Sequence, residues 1–317
     1  MKNKKLQIGL LDFSSVSRLA RSGKSPAPRE IQVLRNAIKL RGHVPVIYKV
    51  PKCQMYFHER EAEILYNNKK IKGCDVLIPR VSITSNLTLE VSIVKQFQLM
   101  GMPVINGYLP VQRAKNKLRT LQILTQRNLP VPRTVVVRQI QYIDAAIECI
   151  GGYPVILKSP YGSFGAGVVI VESRRSLYSA LDVLWMNMKS NILLIQEYVA
   201  EADGSDYRAF VIGNRVVASM KRTAQKGEFR SNLHLGGQAT AIELTPDEQK
   251  IAIRATRALN LQIAGVDILR SKDGPIIMEV NANPGFLGLM EVTGVDVAGE
   301  IVDFAAKLAE KSGKEKV

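Results

Sequence analysis

The sequence has few cysteines and few aromatic residues, with three cysteines and 6% aromatic side chains in 317 residues. The cysteines (Cys53, Cys74 and Cys149) are odd in number and have no paired spacing, which argues against a disulfide framework and against a zinc site. No apolar run approaches the roughly 20 residues that a membrane-spanning helix needs. The amino terminus resembles the start of a signal peptide, but Asp12 interrupts its apolar run and no small-residue cleavage site follows. These absences predict a cytoplasmic protein without a membrane partner.

Acidic residues are also scarce. The chain has 28 Asp and Glu against 44 Lys and Arg, which gives a formal net charge of +16. Such an excess favours polyanionic partners, namely nucleotides, acidic peptides, nucleic acid or the ribosome. No arginine-rich arm, zinc finger or aromatic-basic ribonucleoprotein motif accompanies the charge, so we expect no direct binding of nucleic acid. A basic surface with no partner is the alternative.

The length of the chain favours two or three domains over a single small core. In the first hundred residues, strands alternate with helices, which predicts an open α/β domain of doubly wound type. No glycine-rich turn follows the first strand, so the pattern does not predict a dinucleotide-binding Rossmann domain. The expected elements are strands at 6–12, 43–50, 75–79 and 103–105, helices at 29–41 and 87–100, a connector at 107–112 and a helix at 114–126.

Two segments have neither helical nor strand periodicity. The first, Ser14–Pro28, carries three basic residues and either faces a substrate or serves as a linker. The second runs from Lys221 to His234 between apolar elements, and long irregular loops inside compact domains are usually functional. Its Arg222 and Arg230 are candidate clamps for a phosphate or a carboxylate. A surface loop without a ligand is the alternative.

A glycine-rich loop joins two short apolar strands, expected at 155–158 and 168–172. A Walker A loop would need Lys-Ser or Lys-Thr entering a helix, and neither is present. A glycine hairpin can instead close over a triphosphate with its backbone N–H groups, while Lys158 supplies positive charge beneath it. An ordinary hairpin loop that contains glycine is the alternative. The glycines concerned are Gly162, Gly165 and Gly167.

Two apolar runs between residues 265 and 285 flank an Asp-Gly turn, which predicts a β-hairpin. If the turn is centred on Asp273, Asp267 lies directly opposite Glu279. Asn281 then shares their face, because side chains alternate along a strand. Two facing carboxylates amid apolar residues repel each other unless a cation lies between them, and oxygen ligands suit Mg²⁺ or Mn²⁺. Two acids on the wet face of a solvated hairpin are the alternative.

Several motifs follow one another along the chain: PREIQVLRNAIKLRGH, KNKLRTLQIL, GSFGAG, QEYV, FRSNLH and VDILRSKDGPIIMEVNANPG. Their order and spacing resemble those of the ATP-grasp fold and, more narrowly, of the RimK-like glutamate ligases. The resemblance covers essentially the whole chain. It implies an α/β fold in three parts, a Rossmann-like amino-terminal domain followed by the two-domain ATP-grasp fold. We place these parts at 1–106, 107–195 and 196–317.

The resemblance also implies roles for individual residues. It implies an ATP-dependent ligase that joins a carboxylate to an amine through an acyl phosphate, with ATP between the second and third domains. The implied phosphate contacts are Lys117, Lys158, Gly162, Gly165 and Gly167. The implied contacts to adenine and ribose are Glu197, Tyr198 and Asp206. The residues implied at the phosphates and the reacting carboxylate are Arg230, Ser231 and Asn232, with Arg222 nearby. The implied ligands of two divalent ions, Mg²⁺ or Mn²⁺, are Asp267, Glu279 and Asn281.

The substrates follow from the same resemblance. It implies L-glutamate as the incoming amine and, as the acceptor, the carboxyl terminus of the sixth protein of the small ribosomal subunit or a growing poly-α-glutamate chain. It also implies a homo-oligomer, a tetramer by family analogy. Two alternatives stay open. One is the same chemistry on a small metabolite or peptide, and the other is a non-catalytic basic protein that binds the ribosome or nucleic acid on a ligase scaffold. Cys149 and His234 are not expected to act as covalent catalysts.

Overall fold

The computed structural model of the chain describes residues 4–13, 29–59, 61–80, 87–160, 168–187, 192–225, 227–231 and 236–314. Several parts of the predicted site lie outside these residues, namely the Ser14–Pro28 loop, Gly162, Gly165, Gly167, Asn232 and His234. The described residues form the mixed α/β fold that the sequence predicts, with four sheets.

The amino-terminal part contains β1 (Gln7–Asp12), α1 (Arg29–Leu40), β2 (Val44–Lys49), β3 (Cys53–His58), β4 (Glu61–Tyr66), β5 (Lys69–Lys70), β6 (Val76–Arg80) and α2 (Leu87–Leu99). Its main sheet is parallel, in the order β2-β1-β6. On α1, the apolar residues Ile31, Leu34 and Ile38 recur at helical spacing and are buried.

Two expectations for the amino-terminal part need correction. The strand expected at 103–105 is wrong, because only a single bridge joins Val104 to Leu77 there. The small antiparallel sheet of β3, β4 and β5 was not predicted. In the chain it lies between the second and third strands of the parallel sheet.

The middle part contains α3 (Tyr108–Ala114), α4 (Lys117–Gln126), β7 (Thr134–Val137), α5 (Ile143–Ile150), β8 (Val155–Lys158), β9 (Val168–Val171), α6 (Arg174–Asn187) and β10 (Leu193–Glu197). Its sheet is antiparallel, in the order β7-β10-β8-β9. The predicted connector at 107–112 and single helix at 114–126 are wrong, because the chain forms two helices. The break falls at Asn116, whose side chain accepts a hydrogen bond from the Arg119 backbone N–H at 3.1 Å and so caps α4.

The carboxy-terminal part contains β11 (Ser205–Ile212), β12 (Arg215–Thr223), β13 (Gln238–Ala241), α7 (Pro246–Ala258), β14 (Ile263–Ser271), β15 (Gly274–Asn281), α8 (Leu287–Thr293) and α9 (Val297–Lys314). Its antiparallel sheet has the order β13-β12-β11-β14-β15. The sequence Thr245-Pro246-Asp247-Glu248 predicts a helix start with a capping-box-like acid in its first turn. The structure confirms it, with a complete capping box between Thr245 and Glu248. The strand β13 was not predicted.

The apolar side chains of the described residues gather in three clusters. Two of them join amino-terminal residues to carboxy-terminal ones, while the third lies between the middle sheet and the helices α5 and α6. The buried Asn106 links the first part to the third. Its amide N–H₂ donates to the carbonyls of Ile263 (2.6 Å) and Ala282 (2.7 Å), and its carbonyl accepts from the backbone N–H groups of Gln262 (2.7 Å) and Ile263 (3.1 Å).

None of the described helices combines the length and the apolar character needed to cross a membrane.

Candidate functional site

Asp267 lies opposite Glu279 across the β14–β15 hairpin, as predicted. The turn is not centred on Asp273, however. Ser271 pairs with Gly274, so the loop has two residues, and an uninterrupted ladder would place Asp267 opposite Met278. A β-bulge beside Asp267 shifts the register by one residue and brings Glu279 opposite instead.

Asn281 extends the same face of the hairpin. It pairs with Gly265, two residues before Asp267, so the carboxylates and the amide alternate onto one side. A Cβ atom built at Gly265 would lie only 2.7 Å from the Cβ of Pro284. Glycine at this position therefore lets the Asn-Pro-Gly segment pack against the strand. We call Asp267, Glu279 and Asn281 the oxygen face.

A cavity of about 360 Å³ opens over the oxygen face. Its volume falls in the range of small-molecule sites. The described residues predicted for the site all line it: Lys117, Lys158, Glu197, Tyr198, Asp206, Arg222, Arg230, Ser231, Asp267, Glu279 and Asn281. Apolar side chains from the middle and carboxy-terminal sheets, among them Ile156, Val168, Leu269 and Met278, form another part of the wall.

Two guanidinium groups hold the carboxylate of Asp267. Arg208 donates from Nε to Oδ1 at 2.7 Å and from Nη2 to Oδ2 at 2.8 Å, while Nη2 of Arg222 lies 3.1 Å from Oδ2. Arg222 also donates to both oxygens of Asp206 at 2.7 Å, and the Ser231 hydroxyl donates to Asp206. Two carboxylates and two guanidinium groups thus balance their charges in a buried network.

The network keeps Asp267 ionised. Burial opposes the charged form of this carboxylate, but the attraction of Arg208 and Arg222 outweighs it and holds the pKa of Asp267 below its ordinary value. Asp267 is 2% exposed, so few water molecules screen these pairs.

Two lysines of the middle part of the chain lie near the oxygen face. Nζ of Lys117 lies 3.6 Å from Oε1 of Glu279. Lys158 donates at 2.6 Å to the side-chain oxygen of Gln196, and the side-chain N–H₂ of Gln196 donates to the Thr134 hydroxyl at 2.9 Å. Burial lowers the pKa of Lys158 to about 8, with Glu279 acting in the opposite direction and Lys117 in the same one.

Two other predicted site residues pair with charged neighbours. Glu197, at the end of β10, accepts hydrogen bonds from the backbone N–H (2.8 Å) and Nε (2.6 Å) of Arg133. Arg230 donates to both carboxylate oxygens of Glu228, at 3.0 and 2.7 Å. This pairing with Arg230 lowers the pKa of Glu228 to about 2.

Among the described residues, three charged side chains that line the cavity were not predicted from the sequence: Glu30, Lys115 and Arg208. Arg208 could have been found, because it lies two residues after Asp206 on β11 and so shares its face. Lys115 lies two residues before Lys117, across the break between two helices that had been expected as one. Nothing in the sequence pattern connects Glu30, on the first helix, to a hairpin near the end of the chain.

The oxygen face fits a hard divalent cation, because two carboxylates and an amide are the donors that Mg²⁺ and Mn²⁺ prefer. The surrounding cations also fit a polyphosphate. In the structure the acids of the oxygen face pair with Arg208, Arg222 and Lys117. If a metal-bound polyphosphate occupied the cavity, the metal would contact the acids of the oxygen face. The phosphates would contact the guanidinium and ammonium groups.

Known proteins resemble the chain in sequence and in fold. A "Probable alpha-L-glutamate ligase" of Pseudoalteromonas translucida (strain TAC 125) is 40% identical over 280 residues, which is 88% of this chain and 92% of the relative. Among solved structures, the ATP-grasp ligase PsnB with a minimal precursor superposes with a TM-score of 0.72 at 20% identity, covering 95% of this chain and 98% of that one. A further PsnB complex, with a phosphomimetic precursor variant, Mg and ADP, gives 0.71 at 19% identity, covering 96% and 99%.

Two domain families match the chain directly. The RimK PreATP-grasp domain matches residues 23–108, and the RimK-like ATP-grasp domain matches residues 114–305. Together they span most of the chain, including the cavity and the oxygen face. The chain therefore belongs to the RimK-like ATP-grasp family and is an ATP-dependent ligase.

Proposed function

We propose that the chain joins L-glutamate to the carboxylate of an acceptor, using ATP and two divalent ions, Mg²⁺ or Mn²⁺. The observation that carries the proposal is the oxygen face, which lies in one cavity with Lys117, Lys158 and Arg230. The printed name of the relative from Pseudoalteromonas supports glutamate as the amine. Gly162, Gly165, Gly167 and Asn232 are proposed to complete the phosphate site.

The chemistry requires activation of the acceptor, because a carboxylate is a poor electrophile. A carboxylate oxygen attacks the terminal phosphorus of ATP, ADP leaves, and an acyl phosphate forms. The amine nitrogen of glutamate then attacks the acyl carbon, and the bond from that carbon to the phosphate oxygen breaks. The divalent ions supply positive charge at the transferring phosphoryl group. Lys117, Lys158 and Arg230 add to it from the protein.

For the acceptor, we propose the carboxyl terminus of a small-subunit ribosomal protein or of a growing poly-α-glutamate chain. The net charge of +16 suits an acidic tail. A peptide acceptor is a second candidate, favoured by the likeness to the ligase PsnB, which has been solved with a precursor peptide. The tetrameric state, the cytoplasmic location and the three domain ranges remain predictions.

The test is to incubate the chain with ATP, Mg²⁺ and glutamate against a panel of ribosomal proteins, acidic peptides and poly-glutamate. We expect release of ADP that depends on both glutamate and the acceptor, together with products spaced by one glutamate mass. An acceptor that stays unmodified under saturating conditions is rejected as the substrate. Modification of a peptide alone would favour the second candidate.

A double variant separates catalysis from binding on a ligase scaffold. D267N with E279Q removes both negative charges of the oxygen face, and we expect ADP release to fall to background. D273N is the matched control, because Asp273 is exposed in the turn of the same hairpin. If cells that carry the double variant showed the same phenotype as cells that carry the wild type, a non-catalytic binding function would replace the ligase proposal.

A further inference from the structure

The wall of the cavity also includes Glu30 from the amino-terminal part of the chain, Lys115 from the break between α3 and α4, and Pro284 and Gly285 of the Asn-Pro-Gly segment. None of these residues was predicted for the site. This part of the wall brings one carboxylate and one ammonium group to the same cavity as the oxygen face, and we call it the amino-terminal wall.

Lys115 gives this wall a positive charge. It follows α3 and precedes the Asn116 cap of α4, so two helices fix its backbone. Among the described residues, its side chain makes no hydrogen bond and no ion pair. Burial lowers the pKa of its ammonium group to about 8, against the attraction of Glu279 and Glu90. A partly desolvated cation that faces a cavity in this way is suited to receive an anion from a ligand.

Glu30 gives the wall a fixed negative charge. Its Oε2 accepts a hydrogen bond from Nη2 of Arg80 at 2.5 Å. Arg80 is itself held in place, because it donates to the Pro284 carbonyl at 3.0 Å and lies over the ring of Phe286 at 5.2 Å. The other oxygen, Oε1, accepts no hydrogen bond from the described residues. Oε1 lies 3.4 Å from the position that a Cβ atom would take at Gly285, and both residues line the cavity.

The two charges distinguish between the substrates of a ligase. The acceptor reacts through its carboxyl terminus, and this end of a chain carries no ammonium group for Glu30 to bind. An incoming amino acid carries both an ammonium group and an α-carboxylate, and this wall offers one group of the opposite sign to each. The amine must also lie beside the activated carboxylate, and the amino-terminal wall shares its cavity with the oxygen face.

We propose that Lys115 and Glu30 form the binding subsite for the incoming amino acid. Lys115 binds its α-carboxylate, and Oε1 of Glu30 accepts a hydrogen bond from its nitrogen. The bound ammonium group first gives one proton to Oε1 of Glu30, which frees the lone pair of the nitrogen. The nitrogen then attacks the acyl carbon, the bond from that carbon to the phosphate oxygen breaks, and the second proton leaves with the departing phosphate. The subsite rests on the proposed ligase function and adds to it the groups that recognise an α-amino acid.

The test supplies the full-length protein with three different nucleophiles in turn. They are glutamate, its α-amide, and hydroxylamine, which carries no carboxylate. With K115M we expect KM for glutamate to rise about tenfold or more and the preference for glutamate over its α-amide to fall by a similar factor. KM for ATP should change by no more than about twofold. K115R should restore most of the preference, and K39M, at an exposed lysine on α1, is the matched control.

Glu30 provides a second readout. With E30Q we expect kcat to fall much more with glutamate than with hydroxylamine, because hydroxylamine is neutral near pH 7 and does not bind as an ammonium ion. An unchanged preference between glutamate and its α-amide in K115M would overturn the subsite, as would an equal rise in KM for ATP, which would assign Lys115 to the phosphates. Failure of the ligase proposal looks different, since the wild type itself would then release no ADP with any of the three nucleophiles.

Discussion

Arg208 and Asp267 are cross-strand partners on β11 and β14, and their side chains meet through two hydrogen bonds of 2.7 and 2.8 Å. Asp267 therefore has a guanidinium group on one neighbouring strand and the Glu279 carboxylate on the other. The Arg208 guanidinium group thus offsets the negative charge of the buried Asp267 carboxylate. A cation that binds between Asp267 and Glu279 has to compete with Arg208 for the same oxygens.

Removal of Arg208 should therefore destabilise the protein and increase its response to metal. In R208M the Asp267 carboxylate loses the guanidinium group that pairs with both of its oxygens. We expect the free energy of unfolding to fall by about 3 kcal/mol, because a buried charge is left without its main partner. Mg²⁺ should recover part of that loss. Urea denaturation with and without Mg²⁺ measures both effects.

The control for this prediction is R215M. Arg215 pairs with Glu300, but its side chain is 60% exposed, so we expect a cost below about 1 kcal/mol. Equal costs for R208M and R215M would contradict a special role for the buried pair.

The buried Lys158 predicts a stability that depends on alkaline pH. Its folded-state pKa of about 8 lies below the value of about 10.4 for an unfolded chain. Between these values the unfolded chain binds more protons, so the free energy of unfolding rises with pH over that interval. We expect wild type to gain about 2 kcal/mol relative to K158M between about pH 8 and pH 10.

Because other groups titrate in the same range, the relevant quantity is the difference between wild type and K158M at each pH, measured by urea denaturation. Parallel curves for the two proteins would show that Lys158 is not desolvated in the folded state. Nucleotide binding should shift the effect, since phosphates favour the charged ammonium group and raise its pKa.

Asn106 should be among the most sensitive polar positions in the chain. Replacement by leucine leaves two backbone carbonyls and two backbone N–H groups without partners, and each such group costs about 1–3 kcal/mol when it stays buried. N106D keeps the acceptor but places a second oxygen against the carbonyls of Ile263 and Ala282, so its loss should be no smaller than that of N106L. Chemical denaturation of both variants checks the order, and a cost below about 1 kcal/mol for N106L would contradict it.

Gly265 should not tolerate even a methyl group. In G265A the new Cβ atom would displace Pro284, and we expect a loss of about 1–3 kcal/mol together with weaker stabilisation by Mg²⁺. G313A is the control, because a Cβ atom at Gly313 meets no other atom within 4 Å and alanine favours a helix. Thermal unfolding should rank G313A at or above wild type and G265A below it.

Local pattern was enough to predict the hairpin, the cap at Thr245 and the pairing of Asp267 with Glu279. The bulge that produces this pairing left no signal, because Met278 resembles any other apolar strand residue. The break at Asn116 was missed because the apolar residues on both sides of it kept a helical spacing. Arg208 was missed although strand alternation places it on the same face as Asp206, whereas Glu30 reaches the cavity only through tertiary packing, which no spacing in the sequence records.

The separate apolar cluster of the middle sheet has a consequence for exchange with solvent. Among the described residues, this cluster shares no member with the other two. Movement of the middle sheet away from β14 and β15 would expose cavity walls while leaving every cluster intact, so its free energy is small compared with that of global unfolding. We therefore expect amide hydrogens beside the cavity to exchange through brief openings that nucleotide suppresses, while those at the centre of β11 exchange only when the whole chain unfolds.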